Sequence, residues 1–414
     1  MTSTPTVTLS DITAARERIR SGISHTPCQQ SIPLSELTGS EIYCKLDLLQ
    51  RTGSFKERGA RNALLLLDDQ QKNRGVIAAS AGNHALGLAY HGGLLGIPVT
   101  VVMPKFAPLV KVNTCRQLGA HIVLEGMTFE DARKKANDIA QQDGLSLIHG
   151  FNDPHIIAGQ GTMALEILDD VPDVEAIVVP TGGAGLLAGI AIAAKAIRPE
   201  IQIIAVEASA SASLGASMAA GQPVAVPIQP TLADGLAVGC VGTTSYALAA
   251  PRVDRVLSVR DDSISLAVLR LLELEKLVVE GAAATTLAAM LTTGEPLDLK
   301  GRKTVLLLCG GNIDLTILDR VIDHGLVVDG RRWRFTAVIS DRPGGIARLS
   351  SVIASTGASI REIRHERVFT EADVFSTTVE VTVETTDREH VCCLQERLAT
   401  EGFVVGTLDP GAPT

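Results

Sequence analysis

The feature that most constrains the fold is an alternation of short apolar runs with helical patterns between residues 56 and 325. Apolar runs predict buried strands over 75–79, 99–103, 121–124, 176–179, 201–206 and 304–308. Helices are predicted between them over 85–94, 111–118, 129–143 and 186–196, after a first helix over 8–25 with Ser10 or Asp11 as N-cap. Continuous apolar strands separated by helices indicate an α/β fold whose parallel sheet is covered on both faces.

The pattern changes after Gly325. Residues 373–383 alternate, with Phe375, Thr377 and the valines at 379, 381 and 383 on one face. Strands that bury one face indicate an antiparallel sheet. The other predicted elements are strands over 334–339 and 402–408 and helices over 345–356 and 388–401. Residues 330–414 are therefore predicted to form a separate α+β module in the order β-α-β-β-α-β.

Composition excludes several classes of partner. The formal net charge is −9 and no basic stripe is present, so neither nucleic acid nor an anionic membrane is an expected partner. The N-terminus has no signal-peptide pattern, and no apolar run is long enough to span a membrane. The seven cysteines show no metal-binding or disulfide spacing, which predicts reduced thiols in the cytoplasm.

A lysine stands where a turn-like stretch, Thr52–Phe55, gives way to a helix-forming run over 60–67. The positive end of a helix dipole disfavours the ammonium form of Lys56 and so favours the neutral amine. A neutral amine is a nucleophile that can form a Schiff base with an aldehyde cofactor. The alternative is a solvated loop lysine, which the two glycine-containing loops described next make less attractive.

The first loop, Thr181–Leu186, follows the strand over 176–179 and opens a helix. Its glycines allow backbone N–H groups to converge on an anion at the helix N-terminus. The loop lacks the lysine of an ATP-binding P-loop and the spacing of a dinucleotide fingerprint, so a single phosphate monoester fits better. An ordinary tight turn would produce the same string.

The second loop, Ser80-Ala81-Gly82-Asn83-His84, follows the strand over 75–79 and opens the next helix. It is predicted to bind the substrate carboxylate, with Asn83 able to bond a phenolic oxygen of the cofactor. Cys309, in Cys309–Asn312 after the last strand, could bond a pyridine nitrogen. The alternatives are a plain strand–helix turn and a small buried core thiol.

Together these motifs resemble the fold-type-II pyridoxal-phosphate (PLP) enzymes of the serine/threonine dehydratase family. The resemblance rests on Ser54-Phe55-Lys56, Ser80–His84, Gly182–Leu186 and Cys309–Asn312, and it covers roughly residues 8–325. It implies a catalytic region over 1–325, like the β subunit of tryptophan synthase, with a small subdomain over about 54–150. Residues 330–414 resemble an ACT-type regulatory domain whose amino-acid site includes Asp341, Pro343, Gly344 and Gly345.

The resemblance also implies a role for each site residue. Lys56 forms the Schiff base, Phe55 packs on the cofactor ring, Asn83 holds its phenolic oxygen and Cys309 faces its nitrogen. The phosphate is held by Gly182, Gly183, Ala184, Gly185 and Leu186. Racemising relatives have a serine where this chain has Ala81, which disfavours racemisation. Synthase-type relatives have threonine where this chain has His84, which disfavours β-replacement by an external nucleophile.

A cation is left open. Glu207 and the carbonyl of Ser211 match the family's divalent-cation site, but Ser213 stands at the position of its aspartate. No metal is therefore predicted, with a monovalent or divalent cation at Glu207 and Ser211 as the alternative.

These observations predict PLP-dependent β-elimination of L-threonine, and of L-serine, to a 2-oxo acid and ammonia. The alternatives are the same chemistry on 3-hydroxyaspartate or phenylserine, and a non-catalytic amino-acid sensor. A homo-oligomer is expected, because the predicted sheet of the second module buries one face and a second copy could cover the other. The resemblance to a regulatory domain also implies an amino-acid effector.

Overall fold

The computed structural model describes residues 6–107, 109–292, 297–366 and 375–407. The chain divides into two compact units, Met1–Asp314 and Leu315–Thr414. Among the described residues, no helix is both long and apolar enough to cross a membrane.

The first unit contains two sheets. Its strands are β1 Cys28–Gln30, β2 Glu41–Lys45, β3 Val76–Ala79, β4 Val99–Met103, β5 His121–Leu124, β6 Ser146–Leu147, β7 Ala176–Pro180, β8 Gln202–Ala208, β9 Arg255–Val259 and β10 Lys303–Leu307. The six-stranded sheet has the order β1-β2-β10-β7-β8-β9 and is parallel except for β1. The four-stranded sheet has the order β5-β4-β3-β6 and is parallel throughout. The predicted α/β fold is thus confirmed.

Helices connect these strands, as parallel pairing requires. They are α1 Leu9–Ile19, α2 Ile32–Thr38, α3 Lys56–Leu65, α4 Asp69–Arg74, α5 Asn83–Leu95, α6 Leu109–Gln117, α7 Phe129–Asp143, α8 Pro154–Asp170, α9 Gly185–Ile197, α10 Ser213–Ala220, α11 Thr243–Ala249, α12 Asp261–Arg270 and α13 Gly281–Leu291. Helix α9 is buried from Gly185 to Ala194, so its N-terminus lies inside the unit.

Helix α1 differs from its prediction. It spans Leu9–Ile19 rather than 8–25, and its N-cap is Thr8 rather than Ser10 or Asp11. The Thr8 hydroxyl accepts a hydrogen bond from the Asp11 N–H, and the Asp11 carboxylate accepts one from the Thr8 N–H at 2.8 Å. This reciprocal pair is a capping box, which places Asp11 one turn inside the helix.

The second unit is an antiparallel sheet covered by helices. It contains α14 Leu315–Val328, β11 Arg332–Ser340, α15 Gly345–Ser355, β12 Ser359–Glu366, β13 Ser376–Glu384, α16 Arg388–Thr400 and β14 Val405–Thr407. The strand order is β12-β13-β11-β14, and every pair is antiparallel. The order β-α-β-β-α-β after α14 is as predicted. Residues 315–325, predicted as the end of the first region, belong to this second unit.

Two strand predictions in this unit extend beyond the described residues. Residues 373 and 374 and Leu408 lie outside the described ranges. The inward face of β13 is confirmed for Thr377 and the valines at 379, 381 and 383, which are all buried. Phe375 was wrongly placed on that face: it precedes β13 and its side chain is 67% exposed.

Candidate active site

The segments singled out in the sequence meet at helix N-termini and at the carboxyl end of β10. The Phe55 N–H donates to the Cys309 carbonyl at 3.0 Å. The Asn312 side-chain nitrogen donates to Asn83 Oδ1 at 2.9 Å and to the Thr52 carbonyl at 2.7 Å. These bonds join the lysine segment, the asparagine loop and the cysteine segment into one site, as expected where ligands bind at strand ends.

Lys56 is the first residue of α3, and its Nζ donates to the Gly150 carbonyl at 3.0 Å. Burial lowers the pKa of Lys56 from 10.5 to about 8, although the neighbouring Cys309 and Glu280 oppose the shift. Roughly one such amine in ten is therefore neutral at pH 7. The Lys56 ammonium lies 5.0 Å from the centroid of the Phe55 ring. This amine is poised to act as a nucleophile or a base.

The glycine loop forms a backbone cradle at the buried N-terminus of α9. Ala184 adopts a left-handed conformation with φ 66°, which is uncommon for a residue with a Cβ and is typical of functional loops. A Cβ at Gly183 would collide with the Phe151 ring, and one at Gly185 would lie 2.6 Å from the Phe151 carbonyl. Helix α9 has no side-chain cap, so its first N–H groups suit a phosphate.

Unpartnered polar atoms surround the lysine. Within the described part of the chain, Ser54 Oγ, Thr52 Oγ1 and His84 Nδ1 are buried without a hydrogen-bond partner. Buried polar atoms are normally paired, so these three fit a site that binds a polar ligand. Together with the glycine cradle and the Lys56 amine, they match the phosphate, hydroxyl and aldehyde groups of pyridoxal phosphate.

The asparagine loop leaves space for a ligand. A Cβ at Gly82 would meet nothing within 4 Å, and Gly82 precedes α5 without a side-chain cap. His84 is buried, and its Nε2 bonds the Ile148 carbonyl at 3.1 Å. Burial, with the neighbouring Lys56, lowers the pKa of His84 to about 3. The ring is therefore neutral, so carboxylate binding here depends on N–H donors rather than on a histidine cation.

Cys309 is 3% exposed, and burial raises the pKa of its thiol well above the usual value. The thiol is therefore neutral and could act as a hydrogen-bonding group toward a ring nitrogen. Its role at that nitrogen stays a prediction.

Glu280 is a site residue that the sequence did not reveal. It directly precedes α13, and its carboxylate accepts hydrogen bonds from Asn83 Nδ2 at 2.9 and 3.0 Å. Burial raises the pKa of Glu280 from 4.5 to about 7, against the hydrogen bond from Asn83. The only sequence signal for Glu280 is its position before a helix that begins with small residues. That signal does not predict a contact with Asn83, which is distant in sequence.

The raised pKa of Glu280 makes a prediction for the apoprotein. The folded state binds the proton more tightly, so this group's stabilising contribution is full below pH 4.5 and is lost as pH rises through 7. Glu280→Gln should therefore raise the free energy of unfolding by about 2 kcal/mol at pH 8, and by much less at pH 5. Urea titrations of apoprotein at both pH values measure this, and a pH-independent difference would contradict it.

A second group that sequence reasoning missed is a buried ion-pair network beneath Lys56. Arg58 donates to both oxygens of Asp47 at 2.7 Å, and to the two oxygens of Glu166 at 2.6 and 2.8 Å. Lys45 Nζ lies 2.7 Å from Glu166 Oε2. All four side chains are buried. Since Arg58 follows Lys56 in the first turn of α3, the network fixes the helix that carries the lysine.

Of the two candidate cation ligands, the Glu207 carboxylate already has other partners. Glu207 accepts hydrogen bonds from the N–H groups of Leu214 and Gly215 at 2.6 and 2.8 Å, at the start of α10. Burial raises the pKa of Glu207 to about 7. The Ser211 hydroxyl donates to the Leu236 carbonyl. No cluster of three potential metal-ligating side chains occurs in the part of the chain that the structure describes. That no metal is bound stays a prediction, with a cation at Glu207 and Ser211 as the alternative.

The predicted regulatory residues line a cavity in the second unit. Its volume is about 280 Å³, and its lining includes Asp341, Pro343, Gly344, Gly345 and His365. Gly344 has φ 103° and precedes α15 without a side-chain cap. The Gly345 N–H donates to the Arg342 carbonyl at 3.1 Å, so an anion at this helix N-terminus would meet the N–H groups that follow Gly345 in the first turn.

Comparisons with known proteins show the family to which this chain belongs. The family described as "Pyridoxal-phosphate dependent enzyme" matches residues 19–310. The chain is 42% identical to an L-threonine ammonia-lyase of Thermotoga maritima over 399 residues, 96% of this chain and 99% of the relative. A processed threonine deaminase isoform 2 from Solanum lycopersicum superposes with a TM-score of 0.73 at 35% identity, over 76% of this chain and 92% of that one. A serine racemase from Dictyostelium discoideum gives 0.71 at 36% identity, over 75% and 100%.

Proposed function

Because this chain belongs to the family of pyridoxal-phosphate-dependent enzymes, we propose that it is an ammonia-lyase that converts L-threonine to 2-oxobutanoate and ammonia, and L-serine to pyruvate. The observation that carries the proposal is Lys56, a half-buried amine with a pKa of about 8 at the start of a helix. The 42% identity to an L-threonine ammonia-lyase over 96% of this chain supports the choice of substrate.

The residues already described would hold the cofactor. The loop Gly182–Leu186 binds the phosphate through backbone N–H groups, Asn83 donates to the phenolic oxygen and Cys309 faces the ring nitrogen. Phe55 packs beside the ring. Bound pyridoxal phosphate supplies an electron sink that acidifies the Cα–H bond of a linked amino acid.

Lys56 is the base in this proposal. Its neutral amine takes the Cα proton of the substrate, and the electron pair left on Cα expels the β-hydroxyl, which leaves as water after gaining a proton. Hydrolysis of the resulting enamine consumes one water, so threonine yields 2-oxobutanoate and ammonia with no oxidant or reductant. The N–H groups of the Ser80–His84 loop bind the substrate carboxylate and orient the Cα–H bond.

A substrate panel tests the proposal. L-threonine, L-serine, 3-hydroxyaspartate and phenylserine are each incubated with the holoenzyme, while ammonia and 2-oxo acid are measured together. L-threonine should give the highest kcat/KM, with equal amounts of both products. A preference for 3-hydroxyaspartate or phenylserine would show that the protein is a dehydratase of that amino acid. If none of the four amino acids is converted, a non-catalytic amino-acid sensor is the better account.

Ala81 separates elimination from racemisation, the reaction named for a structural neighbour at 36% identity. The Ala81 methyl group can neither accept nor donate a proton, so the Ser80–His84 loop has no hydroxyl base at that position. L-serine should therefore give pyruvate with little D-serine, and Ala81→Ser should raise the D-serine fraction. Chiral chromatography measures both, and D-serine forming as fast as pyruvate in the native protein would contradict this assignment.

We also propose that the second unit is an amino-acid-responsive regulatory domain. The cavity at Asp341–Gly345 supports this, because about 280 Å³ is enough for a small amino acid, and the N-terminus of α15, which has no side-chain cap, suits a carboxylate. A ligand there regulates turnover only if it binds one catalytic state more tightly than another. Isoleucine and valine are the first candidates.

Trp333 reports on this domain. It is the only tryptophan, is 2% exposed, and stacks on Phe335 with ring centroids 4.3 Å apart. Titration with isoleucine or valine should change Trp333 fluorescence and threonine turnover at the same concentration, and deleting residues 315–414 should abolish the effect on turnover. Identical kinetics of full-length and truncated protein with every amino acid tested would leave only a structural role.

We place the enzyme in the cytoplasm as a homo-oligomer. All seven cysteines are free, which suits a reducing compartment. A second copy is the natural cover for the sheet face opposite the helices of the second unit. Light scattering on the full chain tests the oligomeric state.

A further inference from the structure

Glu280 is a buried acid held by amide groups alone. It is 6% exposed, and its carboxylate accepts hydrogen bonds from the Asn83 side chain and the Asn312 backbone N–H. Within residues 6–107, 109–292, 297–366 and 375–407, no cation forms an ion pair with it. Lys56 and Lys111 act on it only at longer range, and Lys111 pairs with Asp234 instead. Burying a carboxylate in this way is costly, so Glu280 is a candidate for a functional role.

The carboxylate does not cap its own helix. Glu280 is the N-cap of α13, a position where an acidic side chain normally bonds the first N–H groups, yet it forms no capping bond. The side chain passes over Gly310, where any Cβ would collide with its oxygens. The Glu280 carboxylate therefore bonds Asn83 instead of capping α13. This arrangement also requires a glycine at position 310.

Two contacts fix the orientation of the Asn83 amide. Its oxygen accepts from Asn312 Nδ2, and its nitrogen donates to Glu280. Asn312 is itself oriented because the same nitrogen donates to the Thr52 carbonyl at 2.7 Å. Flipping Asn83 would set nitrogen against nitrogen on one side and oxygen against oxygen on the other. One N–H of the Asn83 amide can donate to both Glu280 oxygens, so its second N–H is left for a ligand.

We propose that Glu280 is a positioning residue that orients the Asn83 amide so that its free N–H meets the phenolic oxygen of pyridoxal phosphate. This inference rests on the proposed function for the identity of the bound group, and it assigns no proton transfer to Glu280. A donor held in place keeps that oxygen in its ionised form, which sets the absorbance of the bound cofactor and part of its affinity.

A double-mutant cycle on the holoenzyme tests the proposal. Glu280→Gln, Asn83→Ala and the double variant are compared for the dissociation constant of pyridoxal phosphate and for the ratio of its two absorbance bands. Glu280→Gln leaves Asn83 Nδ2 one acceptor oxygen in place of two, so the Asn83 amide is oriented less firmly. Cofactor binding should weaken about 10-fold, with a shift toward the short-wavelength band. In the Asn83→Ala background, the same change should alter neither quantity by more than about 2-fold.

Equal effects of Glu280→Gln in both backgrounds would overturn the proposal, as would an unchanged band ratio in the single variant. Glu280→Asp, whose shorter side chain cannot reach Asn83, provides an independent variant with the same expected result. Glu275→Gln is the matched control, because Glu275 ends the short helical segment Leu271–Glu275 and accepts a hydrogen bond from the Ser31 hydroxyl. This variant should change neither quantity. Since no amino acid is added, failure of L-threonine as a substrate would not affect this outcome.

Discussion

Lys56→Ala should abolish ammonia release from L-threonine, with a loss in kcat of at least about 1,000-fold, and should leave the protein folded. The loss follows because the amine is both the cofactor's covalent partner and the base that takes the Cα proton. The fold should survive because the Nζ of Lys56 forms one hydrogen bond, to the Gly150 carbonyl. Its removal should change the free energy of unfolding by about 1 kcal/mol or less.

Ammonia release and apoprotein unfolding are measured on the same preparations. Lys195→Ala is the control, because Lys195 pairs with Asp254 away from the site and should retain wild-type turnover. Turnover by Lys56→Ala within a few-fold of wild type would exclude Lys56 as the catalytic amine. Loss of the folded state would instead show that the lysine is structural.

Arg58→Met should be the most destabilising of the substitutions considered, lowering the free energy of unfolding by about 3 to 5 kcal/mol. Arg58 is completely buried and pairs with both Asp47 and Glu166. Although burial opposes it, the pairing with Arg58 holds the pKa of Asp47 below its usual value. Without the guanidinium, two buried carboxylates face Lys45 alone, and the cost of that uncompensated charge is the expected loss.

Arg16→Met is the matched control. The Arg16–Asp169 pair has a similar distance, 2.6 Å, but its side chains are 40% and 51% exposed. Exposed pairs contribute little, so the expected loss is under about 1 kcal/mol. Equal losses in the two variants, measured by urea unfolding of the apoprotein, would contradict the role of burial. Because α3 begins at Lys56, Arg58→Met should also weaken cofactor binding in the protein that remains folded.

The extent to which the sequence predicted the fold depended on burial. Strand β4 and helix α7 have the predicted bounds, because β4 is a largely buried parallel strand with an apolar run and α7 has clear caps. Strand β5 also has the predicted bounds: it lies at a sheet edge and is only partly buried, but it keeps the apolar run Ile122–Leu124. Strand β1 was missed, because Cys28–Gln30 is a short polar run at a sheet edge, where only one neighbour constrains it. A polar edge strand such as β1 lacks the apolar run on which the strand predictions depend.

The sequence likewise predicted only part of the candidate site. Lys56, the glycine loop and the asparagine loop were found because each has a local signature at a helix start. Glu280 and the Arg58 network were missed because their function arises from contacts between residues that are far apart in sequence. A single sequence shows which side chains are available, but it does not show that a carboxylate 197 residues away orients Asn83.

The central claim, that Lys56 is the amine joined to pyridoxal phosphate, has a direct measurement. Borohydride reduction of the holoenzyme fixes the cofactor to its lysine, and peptide mass spectrometry then locates the added mass. The label is expected on Lys56 alone, and excess L-threonine added before reduction should prevent labelling. A label on Lys45, Lys111 or any other lysine, or an unlabelled chain that still turns over L-threonine, would contradict the account.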